Sequence, residues 1–156
     1  MIENEFKRYI CAFTGHRPQK LSISKNEVYK FLSEEIYKAH KDGYYIFMSG
    51  MADGVDMWAA DIVLSYRASH SDVKLVCVLP YNKQVKKYSE NERILAEADY
   101  VKIVSEKYTP DCFYKRNRWM VDNSSRIIAV CNDDKSGTAY TIEYAKRKGI
   151  EVIKFR

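Results

Sequence analysis

The chain has 156 residues, with 26 lysines and arginines against 21 aspartates and glutamates and a formal net charge of +5. Its apolar content of 46% is that of a globular protein and excludes a disordered tail or a fibre. No stretch approaches the roughly 18 apolar residues of a membrane-spanning helix. The start, Met-Ile-Glu-Asn-Glu-Phe, lacks the basic and then apolar layout of a secretion signal. We therefore expect one cytoplasmic domain over residues 1–156, with no membrane partner.

The charge balance favours anionic partners in general. The pI of about 8.9 lies just below the value of about 9 that marks dedicated nucleic-acid binders. Nucleic acid is therefore a partner that the sequence allows but does not favour. The four cysteines, Cys11, Cys77, Cys112 and Cys131, are too far apart for a metal knuckle or a redox pair. We predict no metal site and no cofactor.

Short β-type runs alternate with segments of helical period along the whole chain. The predicted strands are 9–14, 45–49, 73–78, 100–104, 126–131 and 151–155, with Pro80 closing the third. The predicted helices, counted from their capping residues where these are evident, are 24–42, 55–69, 90–98, 111–125 and 138–147. Because parallel neighbours need helical crossovers, this order predicts an α/β fold: a three-layer, doubly wound Rossmann-like sandwich with a mostly parallel sheet.

The loops that leave the carboxyl ends of parallel strands share one edge of the sheet, where helix N-termini also point. Glycines in these loops allow positive φ and close approach, and the first helical amides offer donors for an anion. Segment 49–56 has this form, and Lys135-Ser136-Gly137-Thr138 opens the last helix in the same way. The predicted ligand-binding residues at this edge are Thr14, Gly15, His16, Arg17, Ser49, Gly50, Asp53, Gly54, Asp56, Tyr81, Arg116, Asn132, Ser136, Gly137 and Thr138.

Each of these residues also has a purely structural interpretation. Segment 49–56 also fits a tight turn before a well-capped helix, and Asp56 fits a carboxylate that stabilises the helix dipole. His16 fits a cap of the local backbone, and Tyr81 a buried aromatic. If the glycine loop does cradle a ligand, Gly54→Val should abolish binding and leave the fold intact.

Three segments resemble a known group of proteins. Ser49-Gly-Met-Ala-Asp-Gly-Val-Asp56 resembles the S-G-x-A-x-G-[IV]-D motif of the DNA-processing protein DprA. The stretch from Arg116 and Met120 to Gly137-Thr138 resembles the R-K-x-x-M … PGGxGTxxE region of the LOG nucleotide phosphoribohydrolases. Both belong to the SLOG superfamily, and Thr14-Gly-His-Arg-Pro18 is similar to its YpsA-like branch. The resemblance implies a pocket for a nucleotide or a nucleotide-derived ligand and, by analogy, a homodimer.

The chain departs from both motifs at charged positions. The catalytic glutamate of the phosphoribohydrolases falls on Thr141, and the nearest acid is Glu143. Two residues turn a helix by about 200°, so Glu143 should face away from that site. Asp53 stands where the DprA motif has arginine, and a carboxylate there would repel a nucleic-acid backbone. Arg116 and Glu143 remain the candidate catalytic residues.

Three functions follow, in order of preference. The first is binding of a nucleotide or nucleotide-derived molecule in order to sense, carry or sequester it, with an ADP-ribose-type signal as one case. The second is a LOG-like nucleoside-monophosphate phosphoribohydrolase, an N-glycosidase in which Asp53, Asp56 or Glu143 replaces the missing base. The third is DprA-like single-stranded DNA binding. The loss of the family glutamate favours a binding protein over an enzyme.

Overall fold

The computed structural model describes residues 4–82, 89–132 and 136–155. Within these ranges the strands are β1 (Ile10–Gly15), β2 (Ile46–Ser49), β3 (Lys74–Tyr81), β4 (Tyr100–Ser105), β5 (Arg126–Val130) and β6 (Glu151–Phe155). The α-helices are α1 (Asn4–Lys7), α2 (Lys25–Lys41), α3 (Val55–Arg67), α4 (Glu90–Glu97), α5 (Cys112–Asp122) and α6 (Gly137–Arg147). A 3₁₀ turn covers Pro18–Lys20. No helix in these ranges has the length and apolar character needed to cross a membrane.

The six strands form one sheet in the order β4-β3-β2-β1-β5-β6. All five neighbouring pairs are parallel, which confirms the predicted Rossmann-like architecture. The chain moves outward from β1 to β4 and then returns to place β5 on the other side of β1. This reversal opens a crevice between the carboxyl ends of β1 and β5, the place where open α/β sheets bind ligands.

Helices cover both faces of the sheet. Cys11 and Phe13 of β1 pack in the cluster that contains the buried sides of α2, α3 and α4. Ile10 and Ala12 pack in the second cluster, with α5 and α6. Successive side chains of a strand point to opposite faces, so a fully buried strand contributes to both cores.

The predicted capping residues precede their helices. The Ser24 hydroxyl accepts a hydrogen bond from the amide of Glu27 at 3.2 Å, as the capping pattern predicts. Asp111 precedes α5, but its side chain does not cap that helix. Its carboxylate instead accepts a hydrogen bond from the Thr109 hydroxyl at 2.7 Å.

The prediction that Pro80 closes the third strand is wrong, because β3 continues to Tyr81. Its pairing with β2 ends at Cys77, whereas its pairing with β4 continues to Tyr81 and Ser105. Beyond Cys77 the strand therefore has a neighbour on one side only. A proline that lacks its N–H is tolerated in such an edge-like position.

Candidate ligand-binding site

A cavity of about 200 Å³ lies at the carboxyl end of β1, beside the start of α6. It therefore occupies the crevice that the strand order predicts. The loop after β1, the first half of α5 and the N-terminus of α6 supply most of its wall. The predicted residues that line it are Thr14, Gly15, His16, Arg17, Asp56, Arg116, Ser136, Gly137 and Thr138.

The loop after β1 is held between α3 and β5. A Cβ at Gly15 would lie 2.4 Å from the Cβ of Val55, so only glycine lets β1 approach the start of α3. The His16 carbonyl accepts a hydrogen bond from the amide of Val55, and the His16 amide donates to the carbonyl of Val130. These contacts fix the loop and place His16 and Arg17 against the cavity.

The glycine loop between β2 and α3 is a braced turn. The Ser49 hydroxyl donates to the carbonyl of Asp56 at 2.7 Å and accepts from the amide of Met51 at 3.1 Å. Gly54 has φ +90°, and a Cβ there would lie 2.7 Å from the His16 carbonyl oxygen. A side chain at position 54 would therefore strain the fold, contrary to the expectation that valine there leaves it intact.

Arg116 lies on the inward stripe of α5, with Cys112 and Met120 one turn before and after it. It is only 5% exposed. Its Nη1 donates to the carbonyls of Gly50 and Val78, and its Nε donates to Oδ1 of Asn117. No hydrogen bond within the described residues involves Nη2. Since the side chain lines the cavity, this nitrogen is the donor that Arg116 can offer a ligand.

Asp56 supplies a buried carboxylate to the same cavity. Its Oδ2 accepts a hydrogen bond from the amide of Ala52 at 3.4 Å, whereas its Oδ1 has no partner within the described structure. Burial raises the pKa of Asp56 from 3.8 to about 6, although the charges of Arg116 and Arg17 and the Ala52 amide oppose the rise. Burial likewise lowers the pKa of Arg116, and Asp56 opposes that change.

Gly50 separates these two charged side chains. A Cβ at this position would lie 3.0 Å from Cζ of Arg116 and 3.0 Å from Oδ2 of Asp56. The absence of a side chain at Gly50 therefore lets a buried donor and a buried acceptor share one small space. Gly50 thus shapes the site by leaving room for Arg116 and Asp56, although it does not itself line the cavity.

The N-terminus of α6 forms the anion-attracting wall. The Ser136 hydroxyl caps the helix by accepting from the amide of Ala139 at 3.0 Å. The first amides of a helix have no partner within it and carry the positive end of its dipole. A Cβ at Gly137 would meet no atom of the described residues within 4 Å, so that part of the structure leaves the backbone open to approach there. Arg17 and Lys20 add exposed cations to the cavity.

Several predicted residues lie elsewhere. Asp53 and Gly54 line a separate cavity of about 310 Å³ beside Tyr29 and Trp58 on α2 and α3. Glu143 is exposed and lines a third depression with Lys146 and Lys154 on the outer side of α6. Glu143 therefore lines a different depression from Arg116, the other candidate catalytic residue.

Tyr81 and Asn132 support the walls of the cavity without lining it. The ring of Tyr81 packs at an angle of 85° against Phe113, which lines the cavity. The Asn132 amide donates to the carbonyl of Lys20 and accepts from the amide of Ser22, which ties the loop after β1 to the end of β5. Lys135 lies outside the described residues.

Four cavity residues are absent from the prediction: Lys20, Ala52, Phe113 and Asn117. Phe113 lies three residues before Arg116 and four before Asn117, so helical spacing places Phe113 beside both of them. Lys20 ends the short 3₁₀ turn after β1, where no longer periodicity points to it. Within the described residues no group of three or more histidines, cysteines or acids could hold a metal ion.

Comparison with known proteins agrees with the α/β fold described above. UPF0398 proteins of Bacillus cereus and Bacillus thuringiensis are 32% identical over 155 residues, covering 90% of this chain and 84% of their own length. Streptococcus pneumoniae DprA has a TM-score of 0.70 at 21% identity, with 96% of this chain matched to 50% of that chain.

The molybdenum cofactor binding protein of Rippkaea orientalis has a TM-score of 0.61 at 20% identity, covering 94% of this chain and 76% of its own. At these identities the solved structures show the shared fold alone. The family model for YpsA, described as the YspA SLOG family, matches residues 11–154. The chain belongs to this SLOG family.

Proposed function

We propose that the cavity between β1 and β5 binds a nucleotide or a nucleotide-derived anion, and that the protein senses, carries or sequesters it. The observation that carries the proposal is the position of Arg116. This buried arginine faces the N-terminus of α6 across the cavity at the topological switch point of the sheet. Within the described residues Arg116 makes no direct ion pair, and its hydrogen bonds use only Nε and Nη1. An anionic ligand would pair with this charge and accept a hydrogen bond from Nη2.

The charge of the wall supports the same class of ligand. Among the described residues that line the cavity, Arg17, Lys20 and Arg116 outnumber the one carboxylate, Asp56, and the amides of α6 add positive partial charge. Two solved structures of similar fold are described as binding a ligand. Helicobacter pylori DprA binds single-stranded DNA, and the Rippkaea orientalis protein binds a molybdenum cofactor. Family membership and these descriptions support ligand binding in general, and the cavity supports a small anion.

We expect Arg116→Gln to weaken AMP binding by roughly tenfold or more, since a hydrogen bond to a charged group contributes about 1.5–3 kcal/mol. Titration calorimetry with AMP and with inorganic phosphate measures the change. Arg118→Gln is the matched control, because Arg118 lies on the same helix but is exposed and bonds to the Tyr140 hydroxyl. Lys20→Gln removes an exposed cavity cation without touching the core and should weaken binding more modestly.

Two outcomes would contradict the proposal. Equal affinity in the wild type and in both cavity variants would place the ligand elsewhere. Binding of a single-stranded oligonucleotide, with no binding of AMP or phosphate, would favour the DNA-binding alternative, whose affinity should fall steeply with salt. A homodimer remains a prediction, and light scattering on the purified protein tests it.

One observation favours hydrolysis as a second candidate. Of the three acids that could replace the family's missing glutamate, Asp56 alone lines the cavity, and its pKa of about 6 suits a general acid or base near neutral pH. Under this hypothesis AMP is cleaved to free adenine, Asp56→Asn stops the reaction and Glu143→Gln does not. Chromatography of the incubated nucleotide detects the base, and its absence would exclude this candidate.

A further inference from the structure

Asp56 carries a hydrogen-bond acceptor that the described residues do not use. The side chain is 7% exposed, and its Oδ1 is buried without a partner within the described structure. The great majority of buried polar atoms in folded proteins are hydrogen-bonded, and leaving one without a partner costs stability. Asp56 lines the cavity beside Arg116, so a bound molecule can supply the missing partner once a small rotation of the carboxyl brings Oδ1 to it.

The partner must be a neutral or positive donor. A phosphate oxygen cannot occupy the position next to Oδ1, since two anions repel one another at this distance. The anionic part of the ligand belongs instead with Nη2 of Arg116, with Arg17 and with the amides at Gly137. The ligand therefore needs an anionic group and a hydrogen-bond donor on the same small molecule.

The volume of the cavity limits the size of the part of the ligand that it can enclose. About 200 Å³ is below the roughly 300–1,000 Å³ of a pocket that encloses a drug-sized ligand. The cavity can enclose a phosphate and a sugar, while a base attached to that sugar extends beyond it. The hydroxyl groups of a sugar are neutral donors of the kind that Asp56 lacks.

We propose that Asp56 accepts a hydrogen bond from a secondary hydroxyl of a pentose phosphate, so that the site selects ribonucleotides over the analogue that lacks this hydroxyl. This inference rests on the proposed function. Only Oδ1 of Asp56 lacks a partner within the described structure, and we expect one of the two ribose hydroxyls to donate to it. A site built to bond a hydroxyl rejects the deoxy analogue strongly, because the buried acceptor is then left unpaired.

The test compares AMP with 2′-deoxy-AMP and 3′-deoxy-AMP in the wild type, in Asp56→Asn and in Asp53→Asn. We expect one deoxy analogue to bind the wild type roughly ten- to a hundredfold more weakly than AMP, and the other to bind nearly as well. Asp56→Asn should remove most of this difference. Asp53→Asn, which changes a carboxylate three residues away that lines the other cavity, should retain it.

The outcomes separate this inference from the function on which it rests. Equal affinity of the wild type for all three nucleotides would overturn the role of Asp56 and leave the nucleotide site intact. Binding of inorganic phosphate without AMP would overturn the pentose assignment and leave an anion site. Binding of neither phosphate nor AMP would overturn both proposals. Discrimination that persists in Asp56→Asn would assign the hydroxyl to another residue.

Discussion

Asp56→Asn is expected to raise the free energy of unfolding above pH 7 while it weakens ligand binding. Burial in the fold raises the pKa of this carboxyl from 3.8 to about 6, so the ionised form is destabilising. A difference of that size corresponds to roughly 3 kcal/mol, or a rise in Tm of about 5–10 °C for a domain of this length. Asparagine keeps an oxygen for the Ala52 amide and carries no charge.

The pH dependence identifies the cause. Because the folded state holds this proton more tightly than the unfolded state, the contribution of Asp56 to stability is greatest below about pH 4 and falls as pH rises towards about 6. The gain from Asp56→Asn should therefore be small near pH 4 and reach its full size above pH 7. Urea unfolding of both proteins across this range measures it. A variant less stable than the wild type at pH 8 would show that attraction to Arg116 outweighs burial.

This combination of effects is typical of a functional residue. A carboxylate retained for folding should lower stability when removed, whereas one retained for a ligand can raise it. Arg116 keeps its bonds to the carbonyls of Gly50 and Val78 in the variant, so its buried charge retains partners. The prediction thus separates the two interpretations of Asp56, helix stabiliser and ligand acceptor, that the sequence leaves open.

Gly15→Ala is the second change with a large expected effect. The added Cβ would lie 2.4 Å from the Cβ of Val55, which is itself fully buried at the start of α3. Neither backbone can yield easily, because Gly15 pairs with Val130 of β5 and the amide of Val55 donates to the carbonyl of His16. We expect a loss of about 3 kcal/mol, at the upper end of the usual cost of overpacking. Thermal and urea unfolding measure it.

Gly137→Ala is the matched control. It adds the same methyl group at the edge of the same cavity, where no atom of the described residues lies within 4 Å, and should change stability by less than about 0.5 kcal/mol. Val55→Ala should not rescue Gly15→Ala, since the clash involves the Cβ that alanine retains. Equal stability of Gly15→Ala and the wild type would mean that β1 and α3 are less closely packed than described.

The fold follows from the sequence because its signal is repeated along the chain. Each buried strand is a short apolar run, and each helix presents one apolar face, so alternation alone implies parallel pairing. The order of the strands follows less directly, yet a doubly wound sheet limits the choices. The end of β3 is predicted too early because a proline interrupts a strand only where a neighbouring strand needs the N–H that it lacks, and that depends on where β2 stops.

The site follows from the sequence in part, for a different reason. The loops after β1 and β5 reach the cavity because parallel topology brings strand ends together. The sequence makes both Asp53 and Asp56 candidates, with the loop position of Asp53 slightly favouring a functional role, but the turn at Gly54 places them at different cavities. That separation depends on how the loop folds against His16, a long-range contact that no local pattern encodes. The orphaned acceptor of Asp56 is likewise visible only in three dimensions.

The most direct test of the account is a two-dimensional amide NMR titration of the protein with AMP. We predict that the largest shifts fall on the loop after β1, from Gly15 to Arg17, and on Gly137 and Thr138 at the start of α6. The amides around Asp53 and Trp58 in the second cavity, and those around Glu143, should change little. Shifts concentrated at the second cavity, or no shifts at saturating nucleotide, would contradict the assignment of the ligand site to the crevice between β1 and β5.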